Sequence, residues 1–422
     1  MSHVYEELKG RGFIKQETAP VEVFDRHTLV KTLSLESLLD TGKVTFYVGF
    51  DPTADSMHVG HLLPIMAMTH LQRAGHMPIA IIGGGTTMIG DPSGKTQMRQ
   101  MLSKEDIAKN GRLLLEQLKR YLSFGDGVGL FLNNADWLLP LNYIEFLRDV
   151  GRFFKVNEMI RAEAYRMRLD RDEGLSFIEF NYQLLQAYDF LVLYEKHGCT
   201  VQMGGDDQWS NILAGIDLIK KVTQGNSHGL TFPLLTTARG QKMGKTESGA
   251  IWLDAAKTSP FEYYQYWINS DDRDVEKFLK LFTFLPLEEI AKLCEQGGHH
   301  LRGAKEALAF EATKITHGEE EAKKAQASSR GLFGAEGGDL SHVPSTTFTK
   351  SEIDGLKLTE VLVRVGFSTS KTEAAKLVRA GGIYIGNKAV TDTGVSLSQF
   401  VTDDSTVLLR KGKKTYHKVV VE

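Results

Sequence analysis

The sequence predicts an α/β protein: a mostly parallel-sheet domain up to about residue 233, then an all-helical domain, then a small α+β domain. Three observations carry this expectation. Up to Pro233, short apolar runs alternate with helical stretches, as in successive βα units. From Pro260 onward Phe261, Tyr264, Trp267 and Ile268 recur at helical spacing. Beyond Gly355 the charge changes sign: eleven Lys/Arg against six Asp/Glu give +5 from Leu356 to Glu422, leaving −8 for the rest of a chain whose net charge is −3.

The clearest strands are Phe46 to Phe50, Ile79 to Ile82 and Val201 to Met203, and each runs into Gly or Asp. Open α/β sheets bind ligands beyond the carboxyl ends of their strands, so three candidate loops face one crevice. The divisions that follow are residues 1–233, a loop and connector at 234–259, a helical domain at 260–330, a Gly/Ser/Thr-rich linker at 331–354 and a small domain at 355–422. The aromatic residues of the helical domain read as core.

The last domain has its own local pattern. Ser370 to Glu373 has the form of a capping box, and the helix it opens carries Ala374, Leu377 and Val378 on one stripe with Lys376 and Arg379 opposite. Gly381-Gly382 ends that helix. Ile383 to Ile385, the turn Gly386-Asn387 and Lys388 to Val390 form a hairpin, and Arg410 to Lys414 adds a second basic cluster. A solvated charged face competes with RNA binding; concentration of the charge in one small domain favours RNA.

At 422 residues the chain exceeds one ordinary core. With two cysteines, Cys199 and Cys294, no disulfide framework or cysteine-based zinc cluster arises, which fits a reducing compartment. No apolar run spans a bilayer and the first fifteen residues lack a signal-peptide core, so the expectation is a cytoplasmic protein without a membrane partner.

Two short motifs carry chemistry. His58-Val59-Gly60-His61 follows the strand ending at Phe50, and Lys242-Met243-Gly244-Lys245-Thr246 lies far downstream. The histidines, three apart, share a helical face; Gly60 leaves room for a flat nucleotide near the backbone, and the lysines suit developing phosphate charge. A P-loop kinase or NTPase is rejected by spacing. The first glycine of such a loop is Ile89 before Gly94-Lys95-Thr96, and Arg239 before Gly244-Lys245-Thr246. A third feature is polar: Tyr182, Gln186 and Asp189 fall on one face of a helix that is otherwise apolar, and a buried carboxylate there needs a ligand or a core hydroxyl.

These residues together resemble the bacterial-type tyrosyl-tRNA synthetases, class I aminoacyl-tRNA synthetases, over essentially the whole chain. Tyr47 to His61 resembles the segment with the HIGH signature, and Lys242 to Thr246 the KMSKS loop in a Lys-Met-Gly-Lys-Thr form. Gly90 to Lys95, Asn181 to Phe190 and Gly204 to Trp209 match further segments, and the last domain resembles a small RNA-binding domain shared with a ribosomal protein.

The resemblance implies a Rossmann-like catalytic domain, a helical anticodon-recognition domain and an RNA-binding domain. It implies that the tyrosine carboxylate attacks the α-phosphate of ATP, that pyrophosphate leaves, and that the tyrosyl group passes to the terminal adenosine of tRNA(Tyr). ATP then comes as substrate with Mg2+, and no tightly bound protein metal is expected.

By the same resemblance Thr53 and His58 meet the γ-phosphate, and Lys95, Arg99, Lys242, Lys245 and Thr246 grip the pyrophosphate. His61 and Asp207 hold the adenosine side, with Gly49 and Gly205 leaving room for the nucleotide. Asp51, which with Asp55 flanks Pro52 in a turn, is counted on the ATP side. Tyr47 and Asp189 hydrogen-bond the substrate phenol, Tyr182, Gln186 and Asp91 its ammonium, and Gln208 its carboxylate. Phe177, in Gly174 to Phe180, resembles a subunit contact and implies a homodimer.

Four positions depart from the family pattern. Val48 stands where a small polar residue contacts ribose, Pro64 lies where it would bend the helix begun near His58, and Asp206 and Ser210 replace smaller residues. Two alternatives remain beside tyrosine activation: a tryptophan-activating class I synthetase, and a non-catalytic RNA-binding relative.

Overall fold

The computed structural model describes residues 3–25, 28–93, 102–170, 174–240, 243–246, 249–295, 301–333, 343–386, 388–402, 404–412 and 415–422. It divides into two compact units, residues 1–254 with 276–295, and residues 255–275 with 296–422.

The first unit is built on a six-stranded sheet of β1 (Gln16–Glu17), β2 (Thr45–Phe50), β3 (Met77–Ile82), β4 (Leu130–Asn133), β5 (Cys199–Gly205) and β6 (His228–Phe232). Their order is β1-β6-β5-β2-β3-β4. β1 pairs antiparallel with β6 and the other pairs are parallel. Phe46, Tyr47, Val48 and Phe50 in β2 and Ile79, Ala80, Ile81 and Ile82 in β3 are all buried, the continuous apolar run of a parallel strand covered on both faces. From β2 the chain proceeds to β3 and β4 on one side, and later fills the other side with β5 and β6. The direction therefore reverses between β2 and β5, and a crevice opens beyond their carboxyl ends.

Five helices of this unit matter for the site: α1 (Val4–Arg11), α2 (Leu62–Arg73), α3 (Tyr182–His197), α4 (Trp209–Thr223) and α5 (Val275–Phe282). α3 stops at Gly198, whose φ of 60° is left-handed, and its last turn carries Lys196 and His197 against the carbonyl end of the dipole. The bend expected from Pro64 does not follow, because α2 begins at Leu62. Pro64 is then the third residue of the helix, where the missing N–H is one of the unpaired terminal donors in any case.

In the second unit Pro260–Ile268 packs with Leu301–His317 and Glu319–Phe333, and Tyr263, Tyr264 and Trp267 are wholly buried, so those aromatics are core. A five-stranded sheet follows, ordered Ser345–Phe348, Thr415–Val421, Thr406–Lys411, Ile383–Ile385, Lys388–Val390. The last two strands form the expected hairpin.

Three sequence expectations change. Residues 331–354 are not all linker: the helix runs to Phe333, Val343 is buried with Phe261 and Tyr416, Ser345–Phe348 joins the sheet in parallel with Thr415–Val421, and Lys350–Gly355 is a helix capped by Thr349. β-Branched Thr346 and Thr347 with Phe348 outweighed the loop-like composition. Residues 276–295, read as part of the helical domain, belong to the first unit. The Ser370 box is half formed: Ser370 accepts from the Glu373 N–H at 3.2 Å, while the Glu373 carboxylate accepts from Thr369 N–H and Oγ1, both at 2.7 Å. Among the described residues no helix is long and apolar enough to cross a membrane.

Candidate active site

Beyond β2 the chain turns through Asp51 to Met57 into a short 3-10 turn, Val59–His61. His58 Nδ1 accepts the Gly60 N–H at 3.0 Å, and His61 Nδ1 lies 3.2 Å from the His58 N–H, so the two histidines cap the turn reciprocally. Their ring centroids lie 4.2 Å apart with the planes tilted by 52°. Accepting at Nδ1 assigns to His58 the neutral tautomer with its proton on Nε2, a donor suited to a phosphate oxygen. A Cβ at Gly60 would strike the His58 imidazole, and its next neighbour is the Met243 carbonyl, so the glycine serves the cap and the downstream loop.

That downstream loop does meet the histidine turn. A Cβ at Gly244, whose φ is +82°, would lie 2.8 Å from Gly60 N and 3.3 Å from His58 Nδ1. Met243 N–H donates to the Leu235 carbonyl at 3.0 Å, and Lys245–Thr246 pairs with Gly249–Ala250 in a small hairpin. His58 bridges to Trp252, and Val59 N–H donates to the Ile251 carbonyl at 2.9 Å. The two motifs read from the sequence are thus one joint. Lys95, Arg99 and Lys242 lie outside the described residues.

On α3, Tyr182 and Asp189 are buried and Gln186 half-buried. Asp189 Oδ2 accepts from Asn134 Nδ2 at 2.9 Å and Oδ1 from Trp137 Nε1 at 2.7 Å, so its partners are an amide and an indole rather than a core hydroxyl. Burial pushes the Asp189 carboxyl up to about 7, outweighing the two donors that favour its charge. The Tyr47 hydroxyl is buried without a hydrogen-bond partner among the described residues. Its ring packs on Phe190 at 5.3 Å. Burial first and the Asp189 charge second hold the Tyr47 phenol well above its ordinary range. A carboxylate has about four lone-pair directions, so Asp189 keeps acceptor capacity beyond its two donors. A buried acceptor and an unpartnered buried hydroxyl are what a phenol needs.

A second chain of bonds lies nearby. Tyr182 donates to Asp51 Oδ2 at 3.1 Å and Thr86 Oγ1 to Asp51 Oδ1 at 2.9 Å, which puts Asp51 in the Tyr182 network rather than in a bare turn. A Cβ at Gly83 would collide with the Asp51 carboxylate, which explains a glycine in the loop after β3. Gln208 Nε2 donates to Asp91 Oδ2 at 2.8 Å, and Asn211 Nδ2 donates to Gln208 Oε1 at 3.1 Å and to Gln186 Oε1 at 3.0 Å. Asp91, Gln208 and Gln186 are therefore brought together, with amide orientations fixed by Asn211.

The nucleotide-side positions are more open. Thr53 and Asp207 are exposed, and a Cβ at Gly49 would enter open space, while one at Gly205 would meet Asp207. Val48 is buried in β2. Asp206 Oδ1 accepts from Gln16 Nε2 at 2.5 Å and Thr231 Oγ1 at 3.1 Å, tying the Asp207 turn to β1 and β6. Asn134, Trp137, Thr86 and Asn211 were missed in the sequence. Asn134 follows the end of β4, so the strand-end rule that located the other loops would have found it.

Comparison with known proteins decides the family. Residues 39–334 match the model for class I tRNA synthetases (W and Y), and residues 337–419 that for the tyrosine–tRNA ligase SYY-like C-terminal domain. A tyrosine–tRNA ligase from Caldanaerobacter subterraneus subsp. tengcongensis is 51% identical over 419 residues, covering 99% of both chains, and one from Clostridium tetani is 49% identical over 421 residues, covering 100% of both. The chain belongs to the tyrosine–tRNA ligase family of class I aminoacyl-tRNA synthetases. A C-terminally truncated mitochondrial tyrosyl-tRNA synthetase from Aspergillus nidulans matches with TM-score 0.67 and 34% identity, over 79% of this chain and 95% of that one. The W-and-Y model alone leaves tryptophan open; full-length similarity to tyrosine–tRNA ligases, together with their C-terminal domain, favours tyrosine. The Rossmann-like class I fold, with a helical region and a C-terminal sheet domain, agrees with the sequence reading.

Proposed function

We propose that this member of the family joins tyrosine to tRNA(Tyr) in two steps, with recognition at α3 and charge stabilisation at the histidine turn. The observation that carries the reading is Asp189, held by Asn134 and Trp137 and near enough to act on the buried Tyr47 hydroxyl, which has no hydrogen-bond partner among the described residues. The substrate phenol donates to Asp189 and accepts from Tyr47. Tyr182, Gln186 and Asp91 receive its ammonium, and Gln208 its carboxylate. One carboxylate oxygen attacks the α-phosphate of ATP, a P–O bond forms, and the bond to the departing pyrophosphate breaks. A hydroxyl of the terminal adenosine of tRNA then displaces AMP from the tyrosyl carbon.

No enzyme nucleophile takes part, so rate comes from positioning and from donors aimed at the departing charge. His58 Nε2–H and Thr53 serve the γ-phosphate; Lys95, Arg99, Lys242, Lys245 and Thr246 serve the pyrophosphate; His61 and Asp207 hold the adenosine, beside Gly49 and Gly205. Mg2+ enters with ATP as part of the substrate. Pyrophosphate exchange across the amino acids tests this. Tyrosine supports exchange and tryptophan does not; the reverse pattern selects tryptophan activation, and no exchange with any amino acid selects a non-catalytic RNA-binding relative.

We further propose that the helical and basic C-terminal regions bind tRNA, and that the enzyme works as a homodimer in the cytoplasm. The dimer reading rests on the resemblance of the Gly174 to Phe180 segment to a subunit contact and on Phe177 being 69% exposed rather than a core residue. Phe177 is held out on a short helix braced by the buried Arg168–Glu179 pair at 2.9 Å. Sedimentation gives a dimer that Phe177→Asp weakens; a monomer at working concentration removes this part.

A further inference from the structure

α5 reaches the lysine-bearing loop from one end and the histidine-bearing helix from the other. At its N-terminal turn, Lys277 Nζ donates to the Thr236 carbonyl at 2.9 Å. Thr236 adjoins Leu235, whose carbonyl accepts the Met243 N–H that closes the loop before Gly244 and Lys245. At the other end, Arg11 of α1, only 3% exposed, donates to the carbonyls of Lys280 at 2.9 Å, Thr283 at 3.2 Å and Leu285 at 2.7 Å. One guanidinium thus satisfies carbonyls left over where a helix ends. Phe284, two residues beyond α5, packs on His70 at 5.1 Å and under the Arg73 guanidinium at 4.1 Å, and both of these residues belong to α2. α2 is the helix that continues from the His58–His61 turn.

We propose that α5 is a brace between the two halves of the ATP-handling joint, and that Lys277 is a positioning residue which sets the base of the Lys245 loop against the His58 turn. It touches no substrate. A cation on a carbonyl is a strong tether, and the loop beyond it packs on Gly60 with little slack, so weakening the tether lets the loop lysines miss the departing phosphate while the buried tyrosine site stays as it is. This rests on the reading that the loop lysines stabilise pyrophosphate.

Single-turnover adenylate formation, with tyrosine affinity measured alongside, tests the brace in the full-length enzyme. Lys277→Ala lowers the rate about tenfold, the scale of one charge-assisted hydrogen bond, with tyrosine affinity within about twofold of wild type. Lys277→Arg, which keeps a donor for the Thr236 carbonyl, recovers most of the rate. An unchanged rate in Lys277→Ala, an equal fall in tyrosine affinity, or an arginine variant no better than alanine overturns the proposal. Lys245→Ala separates the two readings: if it spares the rate, the loop assignment falls; if it abolishes the rate while Lys277→Ala does not, the brace alone falls.

Discussion

The ends of the crevice proposed for tyrosine and for phosphate are built in opposite ways. At the end proposed for tyrosine, Asp189, Asn134, Thr86 and Tyr182 are buried and hydrogen-bonded to one another or to Asp51, so the polar groups proposed to read the side chain are set before any ligand arrives. At the phosphate end, Thr53 and Asp207 are exposed, and the histidines and the Gly244 loop lean on each other through backbone contacts. Burial makes an unpaired group costly, which gives selectivity; at the other end the mutual packing of the His58 turn and the Gly244 loop positions donors for the departing charge proposed there, which gives rate. The proposed recognition and the proposed chemistry thereby fall in different physical environments.

Substitutions can break that division, and the largest effect is expected at the phosphate end. His58→Ala lowers adenylate formation by about 10²–10³-fold, the scale of a lost oxyanion donor, and leaves tyrosine affinity nearly unchanged in equilibrium binding. Equal losses in both would merge the two ends. At the tyrosine end, Asp189→Asn lowers kcat/KM for tyrosine about 10–100-fold, since a hydrogen bond to a charged group is involved, and barely moves the value for phenylalanine. Comparison of the two substrates in pyrophosphate exchange checks this.

The smallest effect is a pH dependence. Burial raises Asp189 to about 7, so its carboxylate is mostly ionised at pH 8 and mostly protonated at pH 6. Tyrosine affinity therefore weakens several-fold as pH falls across that range, and Asp189→Asn flattens the curve in a binding titration. The same shift bears on stability with the opposite sense. Between the ordinary carboxyl value of 3.8 and about 7 the folded state holds the extra proton, so Asp189 favours folding at low pH and this contribution is lost as pH rises through 7. Thermal melts of wild type and Asp189→Asn across pH 4 to 8 read it directly.

Much of this was legible in the sequence where one rule acted alone. β2 and β3 were found from apolar runs ending in Asp or Gly, because burial on both faces leaves no polar alternation to confuse the pattern, and β5 from Val201 and Met203 on either side of the buried Gln202, ahead of Gly204. The stripe Tyr182, Gln186 and Asp189 was found from helical spacing. What escaped depends on contacts distant in sequence. Asn134 and Trp137 reach Asp189 across more than fifty residues, and nothing local marks them as its donors. The part Gly60 plays in the histidine cap also escaped, because only the folded chain brings the His58 ring and the Met243 carbonyl beside it. Val343 and Ser345–Phe348 read as linker because their partners, Tyr416 and Thr415–Val421, come at the very end of the chain.

The division of labour between the two ends is tested most directly by a double-mutant cycle. kcat/KM for tyrosine-dependent adenylate formation is measured for wild type, His58→Ala, Asp189→Asn and the double variant. Independent ends predict that the two losses multiply, with an interaction below about 0.5 kcal/mol. A double variant no worse than His58→Ala alone, or an interaction of several kcal/mol, would show that the two sites act as one unit and would contradict the account.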